Sequence, residues 1–141
     1  TVVSAARRIP AHTEHSSDVA DGFFGPVELS TGTLGYAEGL NMSLGLVAVH
    51  PVTAAPIYGR VVAQWPEMQR QALAAHALLP SVPAIGWDLV ATEWGVLILE
   101  ANVAWSTNLT QLRGLAPLGE SDWPAAMLAY LDKVQSPERP Q

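Results

Sequence analysis

Asp88, Glu100 and Asn102 are the residues of this 141-residue sequence best placed to do chemistry. They flank Glu93-Trp94-Gly95, with Gly86-Trp87-Asp88-Leu89-Val90-Ala91-Thr92 before it and Val96-Leu97-Ile98-Leu99-Glu100-Ala101-Asn102 after it. Both flanks read as strands. A three-residue loop with a left-handed Gly95 would join them and pair Thr92 with Val96. Asp88 then lies opposite Glu100, about 4.5–5.5 Å away at Cα. Asn102 is diagonal to Asp88 on the same face. Opposed carboxylates repel, and a divalent cation offsets that repulsion. Two carboxylates and an amide oxygen suit Mg²⁺ or Mn²⁺. The same spacing also fits an acid/base pair, including that of a retaining glycosidase, or two solvated strand-end carboxylates. A two-residue loop would move Asp88 to the opposite face, so the site depends on register. Leu89, Leu97 and Leu99 form the apolar face expected to anchor the hairpin.

The remaining sequence must hold that hairpin in place. Residues 1–9 read as a short strand, and 10–22 as a polar loop carrying two of the four histidines. Residues 23–30 and 33–38 predict strands about the Thr31-Gly32 turn, and 44–50 and 57–64 predict two more. Pro66 opens a helical pattern through Met68, Ala72, Leu73, Ala75, His76 and Leu79. Ser106 is placed to cap a short helix ending near Gly114. Ser121-Asp122 caps another, with Pro124 in its first turn and Met127, Leu128, Tyr130 and Leu131 as apolar positions. These elements imply an α+β fold, mainly antiparallel sheet with a few packed helices. A single domain over 1–141 is expected, with 136–141 a frayed tail.

Composition narrows the function classes. Apolar residues make up 49% and charged residues 14%, with mean hydropathy +0.19, which argues against disorder. No apolar run approaches the roughly 18 residues of a membrane span. The chain has no cysteine, which excludes thiolate sites and cysteine nucleophiles. Net charge is −6 and Lys133 is the one lysine, so a basic nucleic-acid groove is absent. Neither a phosphate loop of the G-x-x-x-x-G-K type nor a serine-hydrolase motif occurs. No signal-like segment opens the chain, and a cytoplasmic setting is expected. Arg60 and Arg113 are the candidate anion contacts, Arg113 close enough after the hairpin to reach a phosphate or a substrate carboxylate. His50, before Pro51, could orient a phosphate or carboxylate, or donate to a backbone carbonyl. His12, Glu14, His15 and Asp18 resemble a metal cluster only on paper, since their loop fixes no geometry.

The string Ile85-Gly86-Trp87-Asp88, followed by Gly95-Val96-Leu97-Ile98-Leu99-Glu100-Ala101-Asn102, resembles the C-terminal metal-binding hairpin of ATP-grasp proteins. It is most similar to the sugar-transfer-associated, hexapeptide-transferase-like branch. His50-Pro51-Val52-Thr53, Ile57-Tyr58-Gly59, Trp65 and Val27-Glu28-Leu29-Ser30-Thr31-Gly32 carry a weaker likeness. The resemblance runs from about residue 22 to 108. It implies a partial ATP-grasp domain that ligates a carboxylate through an acyl phosphate, using ATP and Mg²⁺ or Mn²⁺. By position Asp88, Glu100 and Asn102 match the family's metal ligands. On their own residue types and places, His50 and Arg60 are the candidate cofactor contacts and Arg113 the candidate catalytic residue. Ala54 and Ala101 stand where the family commonly has glycine. The family's phosphate-directed lysines lie upstream of this region. An upstream ATP-grasp subdomain is therefore the expected partner, beside ATP and a small-molecule carboxylate. A silent remnant acting as a binding module, or a carboxylate-pair hydrolase, are the alternatives. Neither nucleic acid nor membrane is expected as a partner.

Overall fold

The structure is a computed structural model that describes residues 1–11, 22–39, 45–111, 115 and 117–136. Element order is β1 (Ala6–Ile9), β2 (Phe23–Pro26), β3 (Ala37–Gly39), β4 (Leu46–Val47), α1 (Trp65–Ala77), β5 (Gly86–Thr92), β6 (Gly95–Asn102) and α2 (Trp123–Gln135). Short 3₁₀ turns at Thr107–Gln111 and Leu118–Glu120 link β6 to α2. Strands β1-β2-β3-β4 form one antiparallel sheet in chain order, and β5-β6 form a separate hairpin. The fold is α+β with antiparallel sheets. Among the described residues no helix is long and apolar enough to cross a membrane.

The core lies where the sheet, α1 and the hairpin meet. Phe23, Val27, Leu34 and Ala37 come from the first sheet and its turn, Trp65 and Met68 from α1, and Val96 from β6. Alternation explains this selection on the sheet. Ile9, Phe23, Val27, Ala37 and Val47 share one parity across paired strands and face inward. Pro66 in the first turn of α1 suits a position whose N–H has no helical partner. Trp65 anchors that turn, its indole N–H donating to the Leu29 carbonyl at 2.9 Å. Gln69 donates to the same oxygen at 3.0 Å. Gly32 makes this docking possible. It has φ +75°, and a Cβ there would come within 2.5 Å of Trp65 Cγ.

Several expected elements shift. Residues 57–64 form no strand, only one isolated bridge from Val61 to Thr33, because Gly59 and Gln64 take positive φ and turn the chain. The strand expected over 23–30 ends at Pro26, and that over 44–50 shrinks to Leu46–Val47 among described residues. The helix expected over 66–79 is Trp65–Ala77. At α2 the cap comes from Ser121, whose Oγ accepts the Trp123 N–H at 3.1 Å, and not from Asp122. The short helix after Ser106 is a 3₁₀ turn. There Ser106 Oγ accepts the Asn108 N–H. The loop of 12–21 and the tail from 137 lie outside the described residues.

Candidate metal and phosphate site on the hairpin

The hairpin brings Asp88 opposite Glu100 by a route other than the expected one. Thr92 pairs with Gly95, not Val96, so the turn is Glu93-Trp94, and Gly95 (φ +126°) is already a paired residue. Ala91, Val90 and Leu89 then face Val96, Leu97 and Ile98. Continued alternation would set Asp88 against Leu99. Instead the register shifts between Asp88 and Leu89, leaving Leu99 as an extra residue, and Asp88 pairs with Glu100. This β-bulge exchanges the faces of everything beyond it. Without it Glu100 and Asn102 would share the parity of core-packed Val96. With it they join Asp88 on the opposite, open face. Asn102 confirms the arrangement, since its Nδ2 donates a long hydrogen bond of 3.5 Å to Asp88 Oδ2.

The apolar anchor is correspondingly different from Leu89, Leu97 and Leu99. Val96 is buried, and Leu89 and Ala91 pack against the core. Leu97 and Leu99 are exposed, at 51% and 68%. Along the open face the rungs run from Val90–Leu97, through Asp88–Glu100, to Gly86–Asn102. The turn is stitched by Thr92, whose hydroxyl donates to the Gly95 carbonyl at 2.8 Å and accepts the Trp94 N–H. Gln64, just before α1, donates to the Thr92 carbonyl at 2.9 Å and ties the hairpin to the helix. Trp94 stands 85% exposed at the tip.

These three side chains offer only oxygen ligands on one exposed face, a donor set that fits a hard divalent cation whose shell is completed by water or phosphate. The Asn102 amide now gives its NH₂ end to Asp88 and can equally turn its oxygen to a cation. Among the described residues no group of three or more His, Cys, Asp or Glu is placed to hold a metal ion, and the hairpin offers two carboxylates and an amide.

The other expected site residues lie elsewhere. His50 is 7% exposed and both of its ring nitrogens are engaged. Nε2–H donates to the Pro10 carbonyl at 2.7 Å, while Nδ1 accepts the Val52 and Thr53 N–H groups at 3.3 and 3.2 Å. Phe23 packs edge-on against its ring at 5.9 Å. In this setting the imidazole latches the end of β1 to the 50–55 turn and has no nitrogen open to phosphate. Arg60 is exposed on the turn after Ile57, where its carbonyl accepts the Leu34 N–H at 2.7 Å. It belongs to the segment joined to the first sheet, not to the hairpin. Arg113, His12, Glu14, His15 and Asp18 lie outside the described residues. Two features escaped the sequence reading. Glu38 is a carboxylate only 6% exposed, in the cross-strand row of Arg8 and Phe24. Trp105 covers Gly86, where a Cβ would come within 2.9 Å of its own Cβ. A glycine inside a strand pattern, which often marks the close approach of another group, was the available signal for the second.

The chain matches the sugar-transfer associated ATP-grasp family over residues 1–121. It belongs to that family. The match extends beyond the 22–108 stretch carried by the motifs, and takes in β1 and the region up to α2. No curated protein and no solved structure matches the chain. The hairpin is thus part of an ATP-grasp domain.

Proposed function

We propose that this ATP-grasp domain supplies the metal- and phosphate-binding hairpin of an ATP- and Mg²⁺-dependent carboxylate ligase. The observation that carries this reading is the Leu99 bulge, which sets Asp88, Glu100 and Asn102 on one open face. A hairpin with no ligand to hold has no need to turn these two polar residues of β6 onto the face of Asp88. Asp88 and Glu100 would hold Mg²⁺ or Mn²⁺, with the Asn102 amide oxygen beside them. The ion, when bound, neutralises charge on the ATP phosphates.

The chain's own residues position and orient. The Val90–Leu97 rung offers an apolar platform beside the anionic rung, suited to the planar face of a nucleotide base. Arg60 and Arg113 are proposed anion contacts, Arg113 for the substrate or the transferring phosphoryl group. In the reaction a substrate carboxylate oxygen attacks the terminal phosphorus of ATP and ADP departs. An amine or related nucleophile then attacks the acyl carbon, inorganic phosphate leaves, and the nucleophile's proton passes to solvent.

The partner expected to supply lysines is an upstream ATP-grasp subdomain. Surface character supports a partner of this kind. Among the described residues eighteen large apolar side chains are exposed, against ten apolar residues that are buried. Tyr36 and Tyr58, both about half exposed, stack at 4.4 Å on one such surface. A silent binding module is the second reading, favoured by the lone Lys133 of the sequence. Family membership lends the hydrolase alternative no support.

The deciding experiment is a Mn²⁺ titration followed by electron paramagnetic resonance, with and without ATP, then ADP release with carboxylic acids and hydroxylamine as nucleophile. Ion binding that ATP tightens, lost in Asp88→Asn/Glu100→Gln, supports the site. ADP release adds the ligase, and its absence with intact ion binding favours the silent module. Ion binding unchanged in the double variant refutes the site.

A further inference from the structure

Gln64 departs from local rules in two ways. Its backbone is left-handed, at φ 56° and ψ 28°, a region that residues other than glycine, asparagine and aspartate seldom enter. It is also the N-cap of α1, yet its side chain caps nothing. Anchors on either side impose this backbone. Val62 N–H donates to the Gly32 carbonyl at 2.9 Å, and the Trp65 indole donates to the Leu29 carbonyl, so the chain is pinned to one turn before and after Gln64. The side chain reaches instead to the end of β5, where its amide N–H donates to the Thr92 carbonyl at 2.9 Å. Among the described residues no other hydrogen bond joins the hairpin to the segments before it. Thr92 in turn holds the hairpin turn through its hydroxyl, bonded to the Gly95 carbonyl and the Trp94 N–H. The Gln64 carbonyl accepts the Met68 N–H at 3.0 Å, so one residue ties α1 to the hairpin.

We infer that Gln64 is a positioning residue of the proposed site, fixing the metal hairpin relative to the segment that carries Arg60. The inference rests on the ligase reading and adds a residue to it. Asp88, Glu100 and Asn102 all lie on the hairpin, so the ion ligands keep their mutual geometry whatever angle the hairpin takes. Arg60 lies apart from them, on the segment bonded to the first sheet through its carbonyl and the Leu34 N–H. A nucleotide whose phosphates meet both the cation and Arg60 needs the two segments held at one angle. The apolar anchor of Val96, Leu89 and Ala91 holds the hairpin without direction. The bond from Gln64 adds direction at the turn end. Residue type supports this role. Glycine or asparagine would relieve the strain and serine would cap the helix, but none is long enough to span the gap that this glutamine spans. A strained, uncapped helix start is kept where its side chain does something that a locally better residue cannot.

The test compares wild type with Gln64→Asn and Gln64→Gly. Both variants accept the left-handed backbone and lose the bond to Thr92. Relief of strain offsets the lost bond, so both should melt within about 3 °C of wild type. Mn²⁺ alone, followed by electron paramagnetic resonance, should bind them within about twofold of wild type, while the tightening of Mn²⁺ by ATP should fall at least fivefold. The chain has no cysteine, so nitroxides on Glu93→Cys in the hairpin turn and Ala74→Cys on α1, both exposed positions, report the hairpin's angle. The distance distribution between them, measured without metal, should broaden when Gln64 is replaced. Full ATP tightening in both variants overturns the inference and leaves the ligase reading standing. So does a fall in tightening with an unbroadened distribution, which would put Gln64 on the nucleotide itself. Loss of bare Mn²⁺ binding together with a lowered melting temperature in both variants also overturns it, making Gln64 a residue of the fold alone. Wild-type Mn²⁺ binding that ATP leaves unchanged, or no Mn²⁺ binding, sinks the ligase reading and this inference with it.

Discussion

Neutralising the opposed carboxylates should stabilise the ion-free protein and abolish its response to Mn²⁺. Asp88 and Glu100 pair directly across the hairpin and both side chains are exposed, so water screens them. At about 5 Å in a medium close to bulk water, two like charges repel by about 0.8 kcal/mol. The 3.5 Å bond from Asn102 offsets only part of this. Asp88→Asn with Glu100→Gln nearly keeps side-chain volume and removes the repulsion, so the melting temperature should rise by about 2–3 °C. Wild type gains by linkage instead. Mn²⁺ at a hundredfold excess over its dissociation constant adds about 2.7 kcal/mol, or roughly 8 °C. The assay is a thermal melt of both proteins, each with and without Mn²⁺. Equal ion-induced shifts would put the site elsewhere. An ion-free double variant clearly less stable than wild type would show that these carboxylates accept structural hydrogen bonds, and the repulsion argument would be wrong.

Gly32→Ala and Gly59→Ala separate backbone strain from collision. Both glycines have positive φ (+75° and +78°), but a Cβ at Gly59 meets nothing within 4 Å. Gly59→Ala should cost about 1 kcal/mol, and Gly32→Ala about 3 or more because Trp65 must move. Equal losses in urea denaturation would contradict the docking of Trp65 on this turn. His50→Ala should cost about 2–3 kcal/mol through its three backbone partners, with Mn²⁺ and ATP responses retained. A variant of full stability that loses the ATP response would make His50 a ligand. Glu67 is held at about 2, below its unperturbed 4.5, chiefly by hydrogen bonds from Arg70 and Gln71. Its folded value is depressed, so its stabilising contribution is whole above about 4.5 and drains as pH falls towards 2. Melts of wild type and Glu67→Gln should therefore differ at pH 6 and converge near pH 2; a constant gap would contradict the pairing.

Helix starts were legible because proline and serine act locally. Pro66 and Pro124 fall in first turns, and Ser121 caps α2, all within one or two residues of the boundary. The 57–64 segment misled because alternating apolar residues hide two positive-φ positions, one of them a glutamine, that only its packing imposes. The hairpin is the instructive case. Asp88 faces Glu100 as its residue types suggested, yet neither the turn nor the anchor does, because local loop chemistry cannot reveal a bulge five residues away. A signal was nevertheless present. Val96, Ile98, Glu100 and Asn102 share one parity, and a strand that alternates throughout would bury the last two beside the first. The conflict between parity and polarity falls between Ile98 and Glu100, where the bulge lies. A sequence that breaks its own alternation at one point must gain something there, and here the break sets Glu100 and Asn102 on the open face with Asp88. The same logic applies to Gly86. Its missing side chain weakens a strand, and the compensation is the close approach of Trp105, whose Cβ would lie 2.9 Å from a Cβ at Gly86.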